Sequence, residues 1–296
     1  MNRRQFISTA AKSAIGAAIC AQSNAYSATD SNWKIGIYTR PWAKHDYRTA
    51  LDEMAEIGFK YAGIMTHKKG LVIGVKTKER KAARIGREAQ DRGLQIISVY
   101  YGGNFNADRS KKAGINGLKK LIDNVAACDG KNLLLGGTSN RKVYNNYYKA
   151  VRETCDYAAN QGVVISLKPH GGLNATGPQC RKTVETIGHP NFQLWYDPGN
   201  IYYYSDGELD PLVDVVSVEG AISGMCVKDY KHPKEVMVTP GKGKVDFPAL
   251  FKKLYSRGFT CGPLVIECLD DGSISQTKKE ALSAKNFLEE ITGKLG

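Results

Sequence analysis

Apolar and polar positions along this chain follow two periods in turn. Short apolar runs bounded by Gly, Pro or Asp alternate with longer stretches in which apolar residues recur at spacings of three and four. The short runs, residues 33–38, 61–65, 95–100, 132–135, 163–167, 192–196, 224–227 and 263–266, read as buried strands. The longer stretches carry apolar stripes such as Leu51, Met54 and Ala55, then Leu118, Leu121, Ile122 and Val125, which read as helices packed by one face. Further helices are expected at 76–92, 144–161, 178–187, 209–218, 247–256 and 276–291. Gly58, Gly93, Gly162 and Gly258 stand where helices must stop before the next strand. Eight strands and eight helices in alternation give a parallel sheet, and that number favours closure into a (β/α)8 barrel, one domain over residues 31–296. An open doubly wound sheet would place a Gly-rich phosphate loop after the first strand. Tyr38-Thr39-Arg40-Pro41-Trp42 stands there instead, so no nucleotide cofactor is expected.

Several strands end on ionisable residues. The run at 163–170 finishes Lys168-Pro169-His170, the run at 192–200 finishes Asp197-Pro198-Gly199-Asn200, the run at 224–229 finishes Lys228-Asp229, and the last ends on Glu267. In a parallel barrel these positions share one rim, where the chemistry is carried. Lys168, His170, Asp197 and Glu267 are therefore the catalytic candidates. Around them Lys228, Asp229, Asn200, His67, Tyr101 and Trp42 are candidate substrate contacts, since aromatic rings beside polar groups suit the C–H faces and hydroxyls of sugars. The Gly-rich loop 241–245 reads as a cover over this rim.

The formal net charge is +13. Its Lys and Arg residues are spread along the helical patterns, as at Lys76, Lys78, Arg80, Lys81, Arg84, Arg87 and Arg92, which is the signature of solvated faces rather than of nucleic-acid binding. Residues 1–28 read differently. Arg3-Arg4 precedes a weakly apolar stretch, 10–19, interrupted by Lys12, with small residues at Ala25, Ser27 and Ala28 for cleavage. This predicts a bacterial twin-arginine signal, a periplasmic or otherwise exported protein, and the twin-arginine export machinery as a partner. The run is too short and too charged for a membrane span. The cysteines form no close pairs, so buried free thiols are expected.

Taken together, Asp197-Pro-Gly-Asn200, Val227-Lys228-Asp229, the loop from Gly241 to Phe247 and Leu264-Val-Ile-Glu267 resemble the xylose isomerase-like TIM barrel family. The resemblance covers nearly all of the chain after the signal and is best from Val163 onward. It implies a small-molecule carbohydrate substrate and an isomerase, epimerase or dehydratase activity. It also implies a divalent metal (Mn, Zn, Co or Mg) held by a Glu, an Asp, a His and a Glu after strands five to eight. Asp197 and Glu267 match the second and fourth ligands, while Lys168 stands for the expected Glu and Cys226 for the expected His. Two outcomes are open from the sequence. In one, the metal is lost and Lys168, His170, Asp197 and Glu267 do the work. In the other, Asp197, Glu267, His170 and Cys226 hold a metal with Lys168 swung outward. The expected activity is proton transfer beside a carbonyl of a sugar or keto sugar, with a keto-sugar lyase or a catalytically degenerate sugar-binding barrel as alternatives. The endonuclease branch of the family, with its multi-metal site, is disfavoured by five His in the whole chain.

Overall fold

The computed structural model describes residues 33–295; the export signal expected at 1–28 lies outside them. Eight parallel strands close a barrel: β1 (Trp33–Tyr38), β2 (Tyr61–Ile64), β3 (Gln95–Tyr101), β4 (Asn132–Leu135), β5 (Val164–Leu167), β6 (Phe192–Tyr196), β7 (Ile222–Val227) and β8 (Gly262–Ile266). Closure is made by β1 on β8, with Trp33 opposite Gly262 and Ile37 opposite Ile266. The expected (β/α)8 barrel is the observed fold. Its strands were visible because each is short, apolar and flanked by turn residues.

The outer layer is α1 (Tyr47–Ile57), α2 (Glu79–Gln90), α3 (Lys111–Ala127), α4 (Arg141–Asn160), α5 (Gly177–Ile187), α6 (Pro198–Tyr204), α7 (Pro211–Asp214), α8 (Phe247–Tyr255) and α9 (Ile274–Gly293). Gly58 ends α1 at φ 83°, a left-handed turn that a Cβ would oppose, and its N–H closes on Ala55 and Met54. Three features differ from expectation. The predicted helix at 209–218 is split into α7 and a 3-10 turn, Val215–Val218, and the short α6 opens directly after β6. A small antiparallel hairpin, Thr66–His67 with Gly70–Leu71, follows β2. Neither short element is long enough to show a period in sequence.

Inside the barrel, Tyr38, Ile97, Tyr100, Leu134, Trp195, Cys226 and Val265 form a closed apolar layer with Met65. Glycines make room for the large rings: a Cβ on Gly63 would fall 2.4 Å from the Tyr38 ring, and one on Gly224 2.4 Å from Trp195. A buried polar chain crosses the barrel beneath the rim, from Tyr38 to Ser98 at 2.8 Å, to Asn132 at 3.3 Å, and on to Ser166 at 2.6 Å. The hydroxyls of these inward residues are therefore satisfied within the core. Cys128, Cys155, Cys180, Cys226 and Cys268 are buried free thiols, as expected.

Candidate active site

The strand ladder does not stop where the apolar residues do. Lys168 N–H donates to Leu135 O at 3.1 Å and Glu267 N–H to Val227 O at 3.0 Å, so both residues continue their strands by one bond. Their side chains are thus aimed by the barrel rather than by a loop. Asp197 begins α6 as its N-cap, accepting Asn200 N–H at 3.0 Å, with Pro198 following at a position where no N–H is needed. Gly199 lets this turn approach β7, because a Cβ there would lie 2.7 Å from Lys228 Cγ and 2.8 Å from Asp229 O. Asn200 then bridges, donating to Pro169 O at 2.7 Å and accepting from Lys228 Nζ at 3.0 Å. Each residue of the Asp-Pro-Gly-Asn turn has its own task in locking β5, β6 and β7 together.

These anchors bring five charges to one place. Lys168 Nζ donates to Asp197 Oδ2 at 2.9 Å and also to Glu267 Oε2. Lys228 Nζ donates to the same Asp197 oxygen at 3.2 Å and lies 2.6 Å from Glu267 Oε1. Arg40 Nη1, just past β1, donates to Glu267 Oε1 at 2.7 Å. Lys168, Lys228, Asp197 and Glu267 are all buried. Burial opposes charge on Lys168, but Asp197 and Glu267 outweigh it and hold the ammonium well above its ordinary pKa. Burial likewise opposes ionisation of Glu267, and Lys168, Lys228 and Arg40 reverse it, holding the carboxyl well below its usual range.

His170 stands at the outer side of this cluster, partly exposed. Its Nε2 lies 3.1 Å from Tyr100 OH and its ring 5.8 Å from that of Tyr204. Burial, then Lys168 and Lys228, push its pKa down to about 4, so the imidazole is neutral at pH 7. Tyr100 also lies under Lys168, whose Nζ is 5.1 Å from the ring centre.

Not every predicted contact is brought to the mouth. Asp229, expected to face substrate, is turned into its own loop, where Oδ1 accepts from Tyr230 and Val245 N–H and Oδ2 from Gly241 and Gly243 N–H. It shapes the Gly-rich loop instead. Trp42 is 2% exposed and packed in the core, so its ring offers no surface to a sugar. Asn200, 4% exposed, acts on Lys228 rather than on solvent. His67 sits on the hairpin against Tyr47, ring centres 6.0 Å apart, and Tyr101 lines a neighbouring cleft with Gly74, Lys76 and Asn106. Arg40 and Tyr100, outside the candidates named from the sequence, complete the site through Glu267 and His170. The signal for Arg40 was its position two residues beyond β1, in the turn where a barrel keeps site residues.

Asp197, Cys226 and Glu267 are a cluster of metal-ligand type, with one ligand atom of each inside a 4.8 Å group. Their chemical state does not suit a divalent ion. Both carboxylate oxygens of Glu267 and Oδ2 of Asp197 face ammonium or guanidinium groups, and Oδ1 of Asp197 caps α6. Burial drives the Cys226 thiol well above its ordinary pKa, away from the thiolate a metal requires. Lys168 points inward, and His170 lies outside the cluster, bonded to Tyr100.

Comparison with known proteins agrees with this architecture. The sequence model of the family described as xylose isomerase-like TIM barrel matches residues 51–291. The inosose dehydratase of Serratia proteamaculans (strain 568) is 22% identical over 308 residues, spanning 88% of this chain and 98% of that protein. Among solved structures, D-psicose 3-epimerase in the presence of D-fructose superposes with a TM-score of 0.70 at 14% identity, covering 88% of this chain and 99% of its own. L-ribulose 3-epimerase superposes with a TM-score of 0.68 at 18% identity, covering 89% and 95%.

Proposed function

This chain belongs to the xylose isomerase-like TIM barrel family, and we propose that it is a sugar isomerase or epimerase that moves a proton at the carbon beside a carbonyl, with buried cations standing where a metal ion would act. The observation that carries this reading is Lys168 Nζ, bonded to both carboxylates that match the family's ligands. A carbohydrate substrate is supported by relatives whose names refer to an inosose, D-psicose and L-ribulose.

In such a reaction negative charge grows on the carbonyl oxygen as the proton leaves carbon. A fixed unit charge about 5 Å away stabilises that oxygen by roughly 3 kcal/mol at an effective dielectric of about 20. Lys168 is fully covered, so it acts through its field; Asp197 and Glu267 hold it still, and no reorganisation is needed when the charge appears. Glu267 is assigned as an anchor rather than the base, since three cations make its carboxylate a weak proton acceptor. His170, neutral and partly exposed, is the group that takes the proton, with Tyr100 orienting its ring. Burial is the larger cause of the low basicity of His170, and Lys168 and Lys228 add to it; charge developing on the substrate offsets the lysines' share, so the basicity rises as the reaction proceeds. The same first step followed by loss of a β-hydroxyl would make the enzyme a keto-sugar lyase. Export, expected from residues 1–28, is part of this proposal.

A second reading, a barrel that binds sugar without turnover, is favoured by the saturation of Glu267 with cations. Solvent-deuterium exchange separates the two. Neutral and acidic ketoses and inososes are incubated with the protein in D2O, and the C–H beside the carbonyl is followed by NMR. The enzyme reading expects exchange with at least one sugar and a loss of more than about 100-fold in His170→Gln. No exchange across the panel overturns it in favour of binding alone.

A further inference from the structure

The charges of this site do not cancel. Arg40, Lys168 and Lys228 face only Asp197 and Glu267, which leaves one positive charge in excess. Asp229, beside Lys228 in sequence, makes no ion pair with these cations: its carboxylate is turned into its own loop, where it accepts from four main-chain N–H groups. An unbalanced charge in a covered site is unfavourable unless an opposite charge joins it.

The hydrogen-bonding capacity shows where that partner would dock. Lys228 has three N–H bonds and three acceptors, Asp197, Asn200 and Glu267. Lys168 has no exposed surface. Arg40 differs from both: its guanidinium contacts Glu267 through Nη1, and its side chain remains 28% exposed. Among the described residues no other acceptor engages this fork, and a guanidinium edge with two free donors matches the two oxygens of a carboxylate or phosphate. Lys44, four residues further on, is exposed and has Asp271 at 3.7 Å.

We propose that this site takes an acidic sugar, one bearing a carboxylate or a phosphate, and that the anionic group docks on the open edge of Arg40. The proposal rests on the reading of the site as a sugar site and adds the class of sugar. It also accounts for the site's composition, since a neutral ketose would leave the excess charge unmet.

The test is calorimetric titration of the intact protein with two matched pairs, D-galacturonate against D-galactose and D-fructose 6-phosphate against D-fructose. At least one acidic member is expected to bind tenfold or more tightly than its neutral counterpart. The pair that shows the preference identifies carboxylate or phosphate as the anion. Arg40→Gln, with its fold checked by circular dichroism, is expected to remove that preference. Equal affinities within both pairs, no binding of either acidic sugar at about 10 mM, or a preference untouched by Arg40→Gln would overturn the proposal. Acid preference without deuterium exchange would leave it standing and sink the enzyme reading, whereas exchange on neutral sugars without acid preference would do the reverse.

Discussion

Removing a carboxylate from the charged cluster should cost more than removing a lysine, and the structure gives the size of the difference. Glu267→Gln takes a negative charge from three cations, Lys168, Lys228 and Arg40, and raises the buried excess from one positive charge to two. Breaking a buried pair in this way costs about 3–5 kcal/mol. Lys168→Met removes two contacts but leaves both carboxylates paired, Asp197 with Lys228 and Glu267 with Lys228 and Arg40. It also removes a repulsion. Lys168 and Lys228 bond the same oxygen of Asp197 at 2.9 and 3.2 Å, so their ammonium groups lie no more than about 6 Å apart. At an effective dielectric of about 20 that repulsion is roughly 3 kcal/mol, and its relief, together with the desolvation of one ammonium that no longer has to be met, offsets the attractions lost. The net cost of Lys168→Met should therefore stay below about 2 kcal/mol. Urea unfolding followed by tryptophan fluorescence measures both variants on one scale. A Lys168→Met protein destabilised as much as Glu267→Gln would refute the charge excess on which this reasoning stands.

Two further outcomes follow from the same geometry. His170 has a folded-state pKa of about 4, below the ordinary value of about 6.5, so the unfolded chain binds more protons between these values. Its contribution, at most about 3 kcal/mol, is fully present above pH 6.5 and lost as pH falls toward 4; urea midpoints measured across that range should fall with pH in the wild type and fall less in His170→Gln. Gly199→Ala would push a methyl group against Lys228 Cγ and the main-chain oxygens of Lys228 and Asp229, all within 2.8 Å, and should cost about 1–3 kcal/mol by the same unfolding measurement. A neutral substitution there would show that the turn does not need its close approach.

The barrel was legible because its signals are local and repeated. Each strand is a short apolar run, and Gly58 and its counterparts mark the helix ends. The residues after strands five, six, seven and eight were legible for the same reason, since a parallel barrel puts them on one rim whatever their identity. What those side chains do was not legible. Asp229 and Lys228 are adjacent in sequence, yet one is captured by four N–H groups of a Gly-rich loop and the other by the ion cluster. Only the path of the loop decides between them. Trp42 looked like a stacking platform because it follows β1, but the 3-10 turn Arg40–Trp42 directs Arg40 to the site and Trp42 to the core. Glu267 looked like a catalytic group because it ends the last strand at the rim. Its three cations come from strands far apart in sequence, and their convergence is a property of the closed barrel.

The central claim is that an ammonium group, Lys168, holds the place of a divalent ion between Asp197 and Glu267. Elemental analysis tests it most directly, on protein purified without chelator or a metal-affinity tag and then incubated with manganese, cobalt or zinc and desalted. The account predicts no stoichiometric metal in the wild type, and uptake in the variant Lys168→Glu/Cys226→His, which places an acid and an imidazole beside the two carboxylates. About one equivalent of metal in the wild type, lost in Asp197→Asn, would contradict it.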